Sequence, residues 1–136
     1  MQPIHWPLSI VLHVAFAAGA LLVGVAQFAG PKGNRRHRLL GWIWVALMSG
    51  VAATSVFIRD YGLPNLFGYT PIHLFTVLTI VTLPLAIVHA RRHDVVRHAA
   101  SMKGLFVGGL LVAGLATLIP GRRLGNLLWT SLGWIG

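Results

Sequence analysis

The sequence predicts an all-α, polytopic membrane protein: a bundle of four transmembrane helices followed by a short C-terminal interfacial helix. Two observations indicate this fold class. First, hydrophobic residues make up 56% of the 136 residues, charged residues only 10%, and the mean hydropathy is +0.76. A soluble domain of this size cannot bury so much apolar surface, so lipid must cover much of it. Second, the charged residues lie between long apolar runs rather than within them.

The apolar runs predict the spans in order, since a helix needs about 20 residues to cross the hydrocarbon core of a bilayer. The first three spans cover about residues 8–29, 39–58 and 71–90. The fourth covers about residues 98–119 and includes a polar first turn, because its strictly apolar part begins only at Gly104. Turn residues separate the runs at residues 60–65 and at Pro120-Gly121. Residues 1–136 are therefore expected to form a single transmembrane domain.

Lysine and arginine are distributed unevenly between the two predicted sides of the membrane. The loops after the first and third spans carry eight of these residues, and the opposite side carries three. Because cytoplasmic loops are enriched in lysine and arginine, both basic loops are predicted inside and both termini outside a bacterial cytoplasmic (inner) membrane. The basic loops are also expected to bind anionic lipids. At the C-terminus, residues 122–135 place leucines on one helical face, which predicts a tail lying on the outer surface.

The rare residue types exclude several classes of function. The chain has no cysteine, which excludes disulfides, iron–sulfur clusters and covalently attached c-type haem. Its only acids, Asp60 and Asp94, lie in predicted loops, so no carboxylate inside the membrane is available for a hydrolase or a coupled transporter. A net charge of +9 would suggest nucleic-acid binding in a soluble protein. Here the charge lies in loops between spans, so lipid is the expected partner and nucleic acid is not.

Several different short motifs lie in the loops and at the helix starts along nearly the whole chain. They are His37-Arg38-x-x-Gly41-Trp42-x-Trp44, Ser55-x-Phe57-Ile58, Pro71-Ile72-His73-Leu74, His98-x-x-x-Met102-x-Gly104-Leu105-Phe106-x-Gly108-Gly109 and Pro120-Gly121-Arg122. With them the chain resembles the bacterial membrane-protein family labelled domain of unknown function 2306. The resemblance implies a small four-helix inner-membrane protein and supplies no activity. In one departure, His93 stands after Arg92 where a small turn residue is expected, so His93 is a poor candidate for a shared role.

Four of the seven histidines fall at matching depths in the predicted bundle. His13 and His73 lie near the starts of the first and third helices, at the outer side, and are named the outer pair. His37 and His98 lie at the cytoplasmic ends of the second and fourth helices and are named the inner pair. Histidine is the usual axial ligand of haem iron and a common metal ligand. The arrangement is similar, in architecture only, to four-helix di-haem transmembrane cytochromes b, in which diagonal helices each supply one ligand.

Helical phase leaves two interpretations open. One face of the first helix carries small residues below His13, which would leave space for a flat macrocycle: Ala17, Ala20 and Gly24, followed by Gln27. The same pattern is typical of helix packing without any cofactor. If haem is present, Arg38 and Arg97 are expected to pair with its propionates. His89, on a different face of the third helix, is the alternative inner ligand, and His5 and His93 are expected to be solvated.

The working hypothesis is a small b-type haem-binding membrane protein that carries electrons in or across the cytoplasmic membrane. It would hold one or two haem b groups and exchange electrons with a quinone or a redox partner protein, as an electron-transfer oxidoreductase if it is an enzyme. The first alternative is a cofactor-free accessory or structural subunit of a larger membrane complex, or a homo-oligomer. The second alternative is a small proton or solute pathway.

Overall fold

The computed structural model describes residues 6–135 and is helical throughout, without a β-strand in this part of the chain. Helix α1 spans Leu8–Ala29, and α2 spans Arg35–Ser55. A 3-10 turn at Pro71–His73 leads into α3, Leu74–Arg91. Helix α4 spans Val95–Thr117, and α5 spans Arg123–Ser131. Within residues 6–135, four helices are long and apolar enough to cross a membrane, which confirms the predicted all-α membrane fold.

Large apolar side chains cover the outside of the bundle. Leu22 on α1 is 72% exposed, Leu74 on α3 is 70% exposed, and Leu115 on α4 is 67% exposed. In water these side chains would cost free energy in proportion to their exposed apolar area. A bilayer removes that cost, so the exposed fractions follow directly from the lipid surroundings of the helices.

The interior is a compact cluster at the middle of the bundle. Met48 and Leu105 are fully buried and join Ala20, Trp44 and Leu83 in one core. The indole Nε1 of Trp44 donates a hydrogen bond of 2.9 Å to the backbone oxygen of Ala20, which joins α2 to α1. Such a bond satisfies the only polar atom of a buried tryptophan, as a site without water requires.

Polar caps in the two basic loops fix where the helices begin. The Asn34 side chain accepts from the backbone N–H of His37 at 2.8 Å, so α2 begins at Arg35, before the apolar run. Asp94 caps α4 in the same way by accepting from Arg97 N–H at 3.1 Å. Lys32 Nζ donates to carbonyl oxygens at the end of α1, which stabilises that terminus. The end of the bundle with these two loops is called the basic end.

Two backbone features depart from regular α-helix. His93, in the turn between α3 and α4, has φ +57°, a left-handed conformation usually taken by glycine or asparagine after a helix. This explains why a small residue was expected there. In the middle of α4, Leu105–Val112 winds as a π-helix, a rare form found often at functional sites.

Candidate cofactor site

The inner pair lies at the basic end of the bundle. His37 belongs to the first turn of α2 and His98 to the first turn of α4. Their ring centroids are 6.4 Å apart, and the ring planes are nearly perpendicular, at 86°. The fold thus brings together two histidines that are 61 positions apart in the sequence.

A backbone hydrogen bond orients the His98 ring. Its Nδ1 lies 2.9 Å from the backbone oxygen of Ala86 on α3. Because a carbonyl oxygen only accepts, Nδ1 must carry the proton and donate it. The lone pair then resides on Nε2, which is left available to bind a metal. Ala86 is fully buried, so the acceptor is rigidly held. Metal-ligating histidines typically have their second nitrogen anchored in this manner.

The His37 ring has a buried nitrogen without a partner. No hydrogen-bond partner for its Nδ1 is present in residues 6–135. An unsatisfied polar atom is costly in an apolar site, which makes this nitrogen available to a ligand. The backbone of His37 is held from two sides, by the Asn34 cap and by Gln27 Nε2, which donates to the His37 oxygen at 2.7 Å. Gly41 lies one turn after His37 on α2. A Cβ added there would contact only the Gln27 amide nitrogen within 4 Å, so little else packs against this glycine.

The separation of the two ring centroids would accommodate one ion between the rings. With a metal–imidazole bond of about 2.0–2.1 Å, the ring centres of two such ligands lie roughly 6 Å apart. A structural zinc site needs four protein ligands. The described residues contain no group of three or more His, Cys, Asp or Glu side chains suited to a metal. A pair of histidines alone suits haem iron best, because the macrocycle supplies the remaining four ligands.

The outer pair makes hydrogen bonds to the C-terminal part of α2 and to the loop that follows it. His13 Nδ1 lies 3.1 Å from the backbone oxygen of Val51 and 3.1 Å from Thr54 Oγ1. His73 Nδ1 accepts from the backbone N–H of Thr70 at 3.1 Å, so its Nε2 carries the proton and donates to Ile58 O at 3.0 Å. Both nitrogens of His73 therefore have protein partners. His73 can bind iron only if one of these bonds breaks.

The small-residue face of α1 packs directly against other helices. A Cβ added at Gly24 would lie 2.5 Å and 2.7 Å from ring carbons of Phe106 and 3.1 Å from Trp44 Nε1. Ala20, one turn earlier, is fully buried against the same core. Phe106 and Trp44 thus fill the space beside Gly24, which lies about 16 Å along α1 from His13. Close helix packing describes Ala20 and Gly24.

The other candidates lie around the basic end. Arg38 and Arg97 are exposed; Arg38 Nη1 reaches Gly33 O at 3.5 Å, and Arg97 Nε lies 3.5 Å from Asp94 Oδ2. Arg38 immediately follows His37 in the sequence, and Arg97 immediately precedes His98. His89 is half-buried on α3 and His93 is exposed. His5 lies outside the described residues.

Two supporting groups of the inner pair were missed from the sequence. Gln27 was assigned only to a helical face, although a polar amide in an apolar run is itself a signal of a partner across the bundle. The Ala86 carbonyl has no sequence signal, because every residue carries one.

Comparison with known proteins gives one match. The family model described as "Predicted membrane protein (DUF2306)" matches residues 10–121. No curated protein and no solved structure matches the chain at a significant level.

Proposed function

Since the chain belongs to the DUF2306 family of predicted membrane proteins, whose description states no activity, we propose its function from its own residues. We propose a small b-type haem protein of the bacterial cytoplasmic membrane that carries electrons, with one haem held by His37 and His98. The separation of the two rings, 6.4 Å between centroids, is the observation that carries this proposal.

The chemistry of the donor set supports haem over a bare metal ion. His98 presents Nε2 because Nδ1 is bonded to Ala86 O, and His37 has a buried nitrogen without a partner. Two imidazole ligands leave no open coordination position on haem iron, which suits electron transfer better than oxygen binding. Arg38 and Arg97, both exposed beside the pair, suit the binding of propionate carboxylates at the water-facing edge.

The hydrogen bonds of the outer pair limit the proposal to one haem. Both nitrogens of His73 are used in hydrogen bonds to Thr70 and Ile58. These contacts favour a structural role for His73, so His13 has no second ligand from its predicted pair.

The visible spectrum of the purified protein tests the proposal. Protein from haem-supplied cells, purified in mild detergent, should show sharp low-spin bands on dithionite reduction and little change when carbon monoxide is added. Replacement of either His37 or His98 with alanine should lower the haem content by about tenfold or more, since even losing a supporting contact of a ligand costs about 10–100-fold in affinity. His93→Ala, at an exposed histidine of the same end, is the matched control, and its haem content should equal that of the native protein.

Two results would reject the proposal. A colourless native protein would leave the histidines without a cofactor and favour an accessory subunit of a larger complex. A full haem content in both His37→Ala and His98→Ala would show that other residues bind the haem. Size-exclusion profiles of the variants establish that each still folds.

A further inference from the structure

A groove runs between α2 and α3 in the half of the bundle opposite the basic end. It consists of two adjoining cavities of about 590 Å³ and 280 Å³, which share Val56 and Ile80 in their linings. The larger cavity begins at the α2–α3 loop beside Thr70, and the smaller one ends at Pro84. The groove therefore extends from the membrane surface toward the middle of the bilayer.

Side-chain size explains why the two helices leave this space. In the smaller cavity α2 presents Ser49, Ala52 and Ala53, which are too short to fill it. Val77 and Ile80, along its α3 side, are 57% and 54% exposed. Since exposed apolar residues of a span face lipid, the groove opens toward the bilayer.

The surface end of the groove carries a buried hydroxyl and, next to it, an exposed cation. Thr70, which lines the larger cavity, is 4% exposed, and its Oγ1 has no hydrogen-bond partner within residues 6–135. Tyr69 lines the same cavity, and the Arg59 guanidinium lies 3.8 Å from the centre of its ring. Arg59 Nη1 donates a hydrogen bond of 2.7 Å to the backbone oxygen of Phe67. The described residues place no carboxylate within ion-pair distance of Arg59. A positive charge and a free hydroxyl thus stand above an apolar channel.

We propose that this groove binds a phospholipid, with one acyl chain between α2 and α3 and its phosphate at Arg59. Arginine binds phosphate bidentately, and the Thr70 hydroxyl suits an oxygen of the headgroup or ester. A phospholipid joins a phosphate to hydrocarbon chains, which matches an exposed cation above an apolar groove.

Native mass spectrometry of the full chain, released from detergent, tests the site. We expect one phospholipid to remain bound per chain. Arg59→Gln should weaken this binding about tenfold, because it removes a charge-assisted contact. Ala53→Phe should also reduce it by filling the smaller cavity. The matched controls are Arg123→Gln, an exposed arginine on α5, and Ala18→Phe, on an exposed position of α1; both should retain the lipid.

Three outcomes would overturn the proposal. The first is that no lipid is retained, or that all four variants retain the same amount. The second is that the bound mass is a quinone, which carries no phosphate. The third is a dimer that Ala53→Phe dissociates, which would make a second copy the occupant. Thermal unfolding of each variant distinguishes a lost lipid from a lost fold, and the haem spectrum is a separate measurement.

Discussion

Replacing His73 with alanine tests whether the outer pair stabilises the fold or binds a cofactor. The ring accepts a hydrogen bond from Thr70 N–H at 3.1 Å and donates one to Ile58 O at 3.0 Å. Alanine removes both bonds. It leaves the amide of Thr70, a residue only 4% exposed, without this partner.

The size of the effect follows from these two bonds. A hydrogen bond contributes about 0.5–1.5 kcal/mol net in a folded protein, and bonds between membrane helices average about 0.6 kcal/mol. Two lost bonds should therefore lower the free energy of unfolding by about 1–3 kcal/mol. The edge-on contact of the ring with Tyr69, at 4.9 Å between centroids, is lost as well and places the expected value in the upper part of that range.

Reversible unfolding in mixed detergent micelles measures this change, with the haem content determined on the same samples. His89→Ala is the control, because His89 is half-buried on the same helix. We expect His73→Ala to unfold more easily than the control while it keeps the haem content of the native protein. Loss of haem with an unchanged free energy of unfolding would refute the reasoning and make His73 a ligand.

Two further predictions concern the backbone. Gly24→Ala should destabilise the bundle by about 1–3 kcal/mol, because its methyl group would overlap Phe106. Gly114→Ala should not, because no atom lies within 4 Å of the added carbon. Equal effects of the two substitutions in the unfolding assay would contradict the packing at Gly24. His93→Gly should raise the free energy of unfolding by about 0.5–1 kcal/mol, because φ +57° strains a side chain with a Cβ. His93→Ala, which keeps the strain, should show no gain, and a gain equal to that of glycine would contradict this explanation.

The four spans were predictable because lipid imposes one requirement on the whole length of a helix, that its outside be apolar. The closeness of His37 and His98 also followed from sequence, since alternating helices return to the same side of the membrane. The environment of His73 did not follow. Its partners are the backbone groups of Thr70 and Ile58, which every sequence contains and only the folded loop brings within reach.

The face of α1 shows a second limit of sequence reasoning. Small residues such as Ala20 and Gly24 indicate that another group packs closely against the helix. A tryptophan ring and a haem would both be compatible with that pattern. Which of the two groups lies against α1 depends on the positions of Trp44 and Phe106 in three dimensions. The periodicity of residues along α1 does not predict those positions.

The π-helical stretch Leu105–Val112 has a consequence for comparing lengths among relatives of this chain. A π-helix bonds each residue to the fifth along rather than the fourth, so it holds a surplus residue that an α-helix would not. A relative with one residue fewer here can wind the same stretch as plain α-helix. His98 before the stretch and Ala113 after it would then keep their directions. A one-residue gap in an alignment of α4 therefore indicates that the relative winds this stretch as α-helix. The two ends of α4 would still correspond in the two proteins.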